Sequence, residues 1–398
     1  MKHLLRTILV ALLFLPLLFC LSSCSPEGDV EQGIDMTVLV YMAADNNLSS
    51  GNFHQQDIDE MVRAAGDVPA DCRLLVYVDD RSYPRILSIE KDEALVVHRY
   101  DVRHDSGKPE TLDNAMGWVV DNYPSDRYGL VLWSHGDSWI PAKAPAQRVI
   151  CVDSSTGSWM EIDEVADVLS HFPKLEYIMF DACFMQSVEV AYELRHVARY
   201  LIASPAEIPS PGAPYDCLVG AMFASPVAPH LVATEYCAYY ENNRVEVSAF
   251  FPNMYYGALL SVVDCSRMEA LAGVTAEMLK KYVSPASVNN LTELLRYYPI
   301  PSDMNRPEYF DMNGYMRRVI TEDEDYREWK RVLDSAVPRR CGTDWWFSGY
   351  KGILDVDKSI YSGISCYVPQ NTIYRTKLNE QFQATSWYVA AGWQAVGW

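Results

Sequence analysis

A histidine followed by glycine, His135-Gly136, and a cysteine 48 residues further on, Cys183, are the side chains of this 398-residue chain best suited to chemistry. An imidazole can give or take a proton near neutral pH. A thiolate can attack a carbonyl carbon, and the two together are the minimum equipment for thiol acyl transfer. The tetrahedral oxyanion of such a reaction needs backbone N–H donors. Gly136 carries no side chain to keep a substrate from its backbone. Cys183 precedes a helix expected to start near Ser187, which would bring N–H groups and a positive helix end close to the sulfur.

The elements that must position this pair are legible as alternating strands and helices. Each residue follows a short apolar run: Tyr128 to Trp133 before His135, and Tyr177 to Phe180 before Cys183. Such runs read as central strands of a parallel sheet, and open α/β sheets place ligands beyond the carboxyl ends of their strands. Further strands are expected at Met36 to Met42, Cys72 to Val78 and Tyr200 to Ala203, with a hairpin or meander over Leu87 to Tyr100. Helices are expected at Asp57 to Ala65, Thr111 to Asn122, Met160 to Ser170 and Ser187 to Val197. This is the rhythm of βαβ units. After about Phe223 the rhythm changes. Helices are expected at Pro226 to Tyr240, Met268 to Tyr282, Val288 to Tyr298, Tyr315 to Thr321 and Tyr326 to Leu333. Strands are expected at Val245 to Phe250 and Leu260 to Val263, and a late strand, Gly363 to Val368, is expected to return to the sheet. The boundaries drawn are 36–255 for the core and 256–398 for a part that packs on it and completes the sheet.

The formal charge of −20 argues against a nucleic-acid partner, whose phosphates would repel the chain. The basic start at Lys2 and Arg6, the apolar Ile8 to Phe19 and the sequence Leu21-Ser22-Ser23-Cys24 resemble a bacterial lipoprotein signal. That reading removes residues 1–23, lipidates Cys24 and leaves 24–35 as a tether. It predicts export and anchoring by acyl chains, without a membrane span, on the outer membrane. Cys72, Cys151, Cys183, Cys217, Cys237, Cys265, Cys341 and Cys366 then remain. They show no C-x-x-C pair and no metal spacing, and which of them would pair in an exported protein is not readable. The histidines other than His135 show no H-E-x-x-H pattern, and no G-x-S-x-G elbow, phosphate loop or dinucleotide fingerprint is present.

Several segments together resemble the clostripain family of cysteine peptidases. They are Leu132-Trp133-Ser134-His135-Gly136, Asp181-Ala182-Cys183-Phe184-Met185, the stretch Val38 to Leu48, Ser204 to Pro209 with Pro214-Tyr215, and Tyr361 to Ser365. The resemblance implies a caspase-like α/β/α sandwich with a mostly parallel central sheet and an additional C-terminal helical and β part. It implies an endopeptidase with a His–Cys dyad that cleaves proteins or peptides after Arg or Lys. Cys183 would be the nucleophile and His135 the general acid, with the N–H groups of Gly136 and Cys183 as the oxyanion hole. A basic side chain needs an acid in its pocket. Asp181, two residues before the thiol, and Glu207, after the next strand, are the candidates. Family members can be cut between the two strands, and here Pro141 to Val149 contains Lys143-Ala144 and Arg148-Val149, both basic cleavage points. Some members need calcium (Ca2+), although the sequence has no EF-hand loop. Two readings compete with this one: a peptidase with a different side-chain preference, and a non-catalytic surface-binding lipoprotein of the same fold.

Overall fold

Aliphatic and β-branched runs, bounded by turn-forming residues, set the strands. The computed structural model describes residues 33–140, 149–248, 252–284, 291–298, 309–349, 351–371 and 375–398. In chain order its strands are β1 (Ile34–Ala43), β2 (Cys72–Asp79), β3 (Arg85–Glu90), β4 (Glu93–Arg99), β5 (Ser125–Trp133), β6 (Ile150–Asp153), β7 (Ser158–Met160), β8 (Leu175–Asp181), β9 (Ala198–Ala203), β10 (Leu259–Asp264), β11 (Phe310–Asp311), β12 (Arg339–Gly342), β13 (Trp345–Ser348), β14 (Gly352–Asp355) and β15 (Ser365–Cys366). Nine of them form the central sheet, in the order β12-β10-β9-β8-β5-β1-β2-β3-β4. The five middle strands, β9 to β2 in that order, are mutually parallel. β10 and β12 extend one side and β3 and β4 the other, all antiparallel.

Alternation along β1 shows how the sheet is covered. Leu39, Tyr41 and Ala43 enter one buried cluster with Leu112, Ala115, Val165, Leu271 and Trp329, from helices Pro109–Asn122, Ile162–Leu169, Met268–Tyr282 and Asp323–Ala336. Met36, Val38, Val40 and Met42 enter the other with Ile58, Leu218 and Tyr236, from helices Phe53–Arg63, Tyr215–Met222 and Pro229–Asn243. A strand buried on both faces reads as a continuous apolar run because each side chain finds a core. The result is an α/β/α sandwich.

Local signals place the helices. Ile162–Leu169 opens with a reciprocal capping box between Glu161 and Glu164, and its buried Ile162, Val165, Val168 and Leu169 recur at helical spacing. Val188–Glu193 is capped by Ser187, whose Oγ accepts from the Val190 N–H at 3.3 Å.

Three expectations are corrected. Residues 291–298, the described part of the helix expected over Val288 to Tyr298, are not helical. Their backbone pairs instead with the segment around β11: the Tyr297 N–H donates to Tyr309 O at 2.8 Å, and the Asp311 N–H to Leu295 O at 3.0 Å. The late strand does not return to the central sheet. Only Ser365–Cys366 is extended there, pairing with β11, while the Ser365 N–H donates to Gln186 O at 3.0 Å. The strand expected over Val245 to Phe250 is reduced, in its described part, to a bridge between Glu246 and Tyr255. In the first two cases tertiary pairing outweighs local propensity.

Candidate active site

β5 and β8 lie side by side in the middle of the sheet, with Trp133 opposite Asp181. His135 and Cys183 each stand two residues beyond that pair. The 48-residue spacing in the sequence is therefore the register of one parallel ladder. The Ser134 N–H donates to Asp181 O at 3.4 Å, and the Ser134 hydroxyl donates to Ala43 O at 3.1 Å and accepts from the Val152 N–H at 3.0 Å. Ser134 thus ties off the strand end.

His135, Cys183, Asp181 and Glu207 line one cavity of about 180 Å³, beyond the carboxyl ends of β5 and β8. Trp133, Gly212, Tyr256 and Phe347 complete much of its wall. Gly136 packs so closely on the next segment that a Cβ there would sit 2.7 Å from Cys183 O and 2.9 Å from both Ala182 Cβ and Met185 Sδ. Only glycine allows this approach. Among the described residues, neither the Gly136 nor the Cys183 N–H is spent on a turn or loop hydrogen bond. Phe184, directly after the cysteine, has φ 63°, a left-handed conformation uncommon for a large side chain, and its N–H is held by Ala206 O at 2.9 Å.

The electrostatics are dominated by carboxylates. Cys183 is half-buried, and its Sγ accepts from the Ile208 N–H at 3.4 Å. Burial, followed by the Glu207 carboxylate, pushes the thiol up to about 12, while the Ile208 N–H pulls in the opposite direction. Asp181 is buried. Its Oδ2 accepts from the Ala213 N–H at 3.2 Å and from the Tyr215 hydroxyl at 3.1 Å, while its Oδ1 has no hydrogen-bond partner among the described residues. Burial raises this carboxyl to about 6 against those two donors. Behind it lies the buried Asp57, bonded by Trp133 Nε1 at 2.6 Å and pushed well up by burial and by Asp181. Glu207 Oε1 accepts from the Gly349 N–H at 3.1 Å.

Two contributors were not read from the sequence. Asn47, just past β1, bonds His135 Nε2 through its Oδ1 at 2.7 Å, so in this arrangement Nε2 carries the proton. Its signal was positional, since β1 is the neighbour of β5. The hairpin β13–β14 supplies Phe347 and Gly349 to the cavity from far along the chain, and no local pattern announces that. Cys24, Lys143 and Arg148 lie outside the described residues. Among the described residues no three His, Cys, Asp or Glu side chains converge as metal ligands, so they offer calcium no such set.

The comparisons with known proteins agree with this geometry. The sequence profile of the Clostripain family matches residues 40–398. A secreted C11 cysteine protease from Bacteroides thetaiotaomicron, solved with an irreversible peptide inhibitor, is similar with a TM-score of 0.79 and 32% identity, covering 91% of this chain and 100% of that one. An inactive zymogen C11 protease from Parabacteroides distasonis follows with a TM-score of 0.75 and 30% identity, covering 89% and 97%. Clostripain of Hathewaya histolytica is 28% identical over 220 residues, 46% of this chain, and the chain spans only 41% of that protein's length. The class defined by this fold and these relatives is the cysteine endopeptidases of caspase-like architecture. The chain belongs to the clostripain family.

Proposed function

We propose that this chain is a lipid-anchored endopeptidase that cleaves proteins or peptides after Arg or Lys, with Cys183 as nucleophile and His135 as general acid. The observation that carries the reading is the shared cavity, which gathers the thiol, the imidazole and the Asp181 and Glu207 carboxylates at the carboxyl end of the sheet. The Cys183 thiol passes its proton to the His135 imidazole as its sulfur attacks the scissile carbonyl carbon. The N–H groups of Gly136 and Cys183 receive the oxyanion as the tetrahedral intermediate forms. His135 then protonates the departing amine, leaving a thioester that water hydrolyses. The Oδ1 of Asp181, which has no hydrogen-bond partner among the described residues, is the acceptor offered to a guanidinium or ammonium group.

Two further parts of the proposal rest on the sequence. Leu21 to Cys24 supports lipidation and export, and the Bacteroides relative is described as secreted. Among the described residues no helix is long and apolar enough to cross a membrane. Lys143 and Arg148 supply sites for self-cleavage, and the Parabacteroides relative is described as a zymogen.

Fluorogenic peptides ending in Arg or Leu, tested with wild type, Cys183→Ala and Asp181→Asn, separate the readings. Wild type is expected to hydrolyse the Arg peptide alone, and Cys183→Ala to lose at least ~10³-fold in kcat. Asp181→Asn is expected to lose about 10–100-fold in kcat/KM on Arg, the range for a charged hydrogen bond. Equal hydrolysis of Leu would remove the basic preference. Hydrolysis of neither would favour a binding lipoprotein.

A further inference from the structure

Cys237 and Cys341 meet on the side of the molecule formed by the β12 edge of the sheet. Cys237 is buried on helix Pro229–Asn243, and Cys341 is half-buried in β12. Their Sγ atoms are 2.8 Å apart, although 104 residues separate them in the chain. Of the sulfur contacts made among the described residues, this is the one that joins two cysteines, and both are free thiols in this structure. A cavity of about 380 Å³ opens onto the pair, lined by Thr234, Arg339, Arg340 and Lys358 among others. Glu241 lines it as well, and Arg340 and Lys358 are paired with Asp334 at 2.9 Å and Asp344 at 2.8 Å.

We propose that Cys237 and Cys341 are a disulfide-forming pair that fastens the edge strand β12 to helix Pro229–Asn243. The location gives the bond a purpose. Among the described residues, β12 is held to the sheet through β10 alone. Directly after it, Thr343 donates its N–H to Ala258 O at 3.0 Å, and the chain then enters the β13–β14 hairpin, which brings Phe347 and Gly349 to the substrate cavity. A cross-link at Cys341 fixes the root of that wall. Burial holds Cys237 as a neutral thiol, so the half-buried Cys341 reacts first.

The chemistry is thiol–disulfide exchange with a small disulfide. The Cys341 sulfur attacks one sulfur of the reagent, whose S–S bond breaks, and the first small thiol leaves with a proton. Cys237 gives up its proton and attacks the Cys341 sulfur of the mixed disulfide, expelling the second small thiol. Two protein thiols become one disulfide, and the reagent takes up the two electrons. The environment of an exported protein supplies such oxidants.

The test uses the full chain, reduced, then equilibrated with oxidised glutathione, alkylated, digested and mapped by mass spectrometry. The expected result is a peptide pair joined through Cys237 and Cys341, with a thermal midpoint raised by roughly 5 °C over the reduced protein. Cys341→Ser, a small change at a half-buried site, is expected to lose both. Recovery of both cysteines alkylated, while glutathione has modified other thiols, would overturn the proposal. Accumulation of Cys341 as an unresolved mixed disulfide would overturn it too. The wild-type map decides the matter even if the variant folds poorly.

Discussion

At the scale of residues, the site holds its sulfur as a thiol. The burial and the Glu207 carboxylate that raise Cys183 to about 12 leave little thiolate at neutral pH. Alkylation of the unliganded protein by iodoacetamide, followed at Cys183, is therefore expected to climb about tenfold per pH unit between roughly pH 7 and 9, because the thiolate fraction rises with pH. A rate already flat by pH 7 would mean that an imidazolium stabilises the thiolate in the free protein. The meeting of His135 and Cys183 in one cavity was legible in the sequence, because each stands just past an apolar run. Asn47 was not, since an asparagine in a turn-rich loop carries no mark of what it will face.

At the scale of elements, the site depends on how closely two segments can lie. Gly136 is the contact point, and a methyl group there would overlap the Cys183 carbonyl oxygen. Gly136→Ala is expected to lower kcat at least ~10²-fold while the thermal midpoint falls by only a few degrees, read by peptide hydrolysis and calorimetry on one preparation. An unimpaired Gly136→Ala enzyme would show that this approach is not needed for turnover. The strands bearing the pair were legible because central parallel strands are apolar throughout. Residues 291–298 misled because a helical pattern there yields to backbone pairing with Tyr309 and Asp311. The β13–β14 hairpin was invisible because its place is set by the whole sandwich rather than by its own residues.

At the scale of the molecule, a chain of formal charge −20 also buries acids. Burial is the leading cause in raising Glu60, Asp79 and Glu189 to about 7 and Asp181 to about 6. The folded state therefore holds protons that the unfolded chain releases above about pH 4. Their stabilising contribution is full below that pH and is lost as pH rises through about 6 to 7. The thermal midpoint of the unliganded protein is expected to fall between about pH 5 and 8, and a rise over that interval would contradict these assignments.

The ladder between β5 and β8 has one more consequence. A cut at Lys143 or Arg148 would leave β1 to β5 on one polypeptide and β6 to β15 on the other, zipped together in the interior of the nine-stranded sheet. Each piece alone would expose a raw inner edge and half a core. The severed halves should therefore travel through gel filtration as one particle and part only in denaturant. Maturation of this kind would convert a single chain into an obligate heterodimer whose seam runs through its own reaction centre.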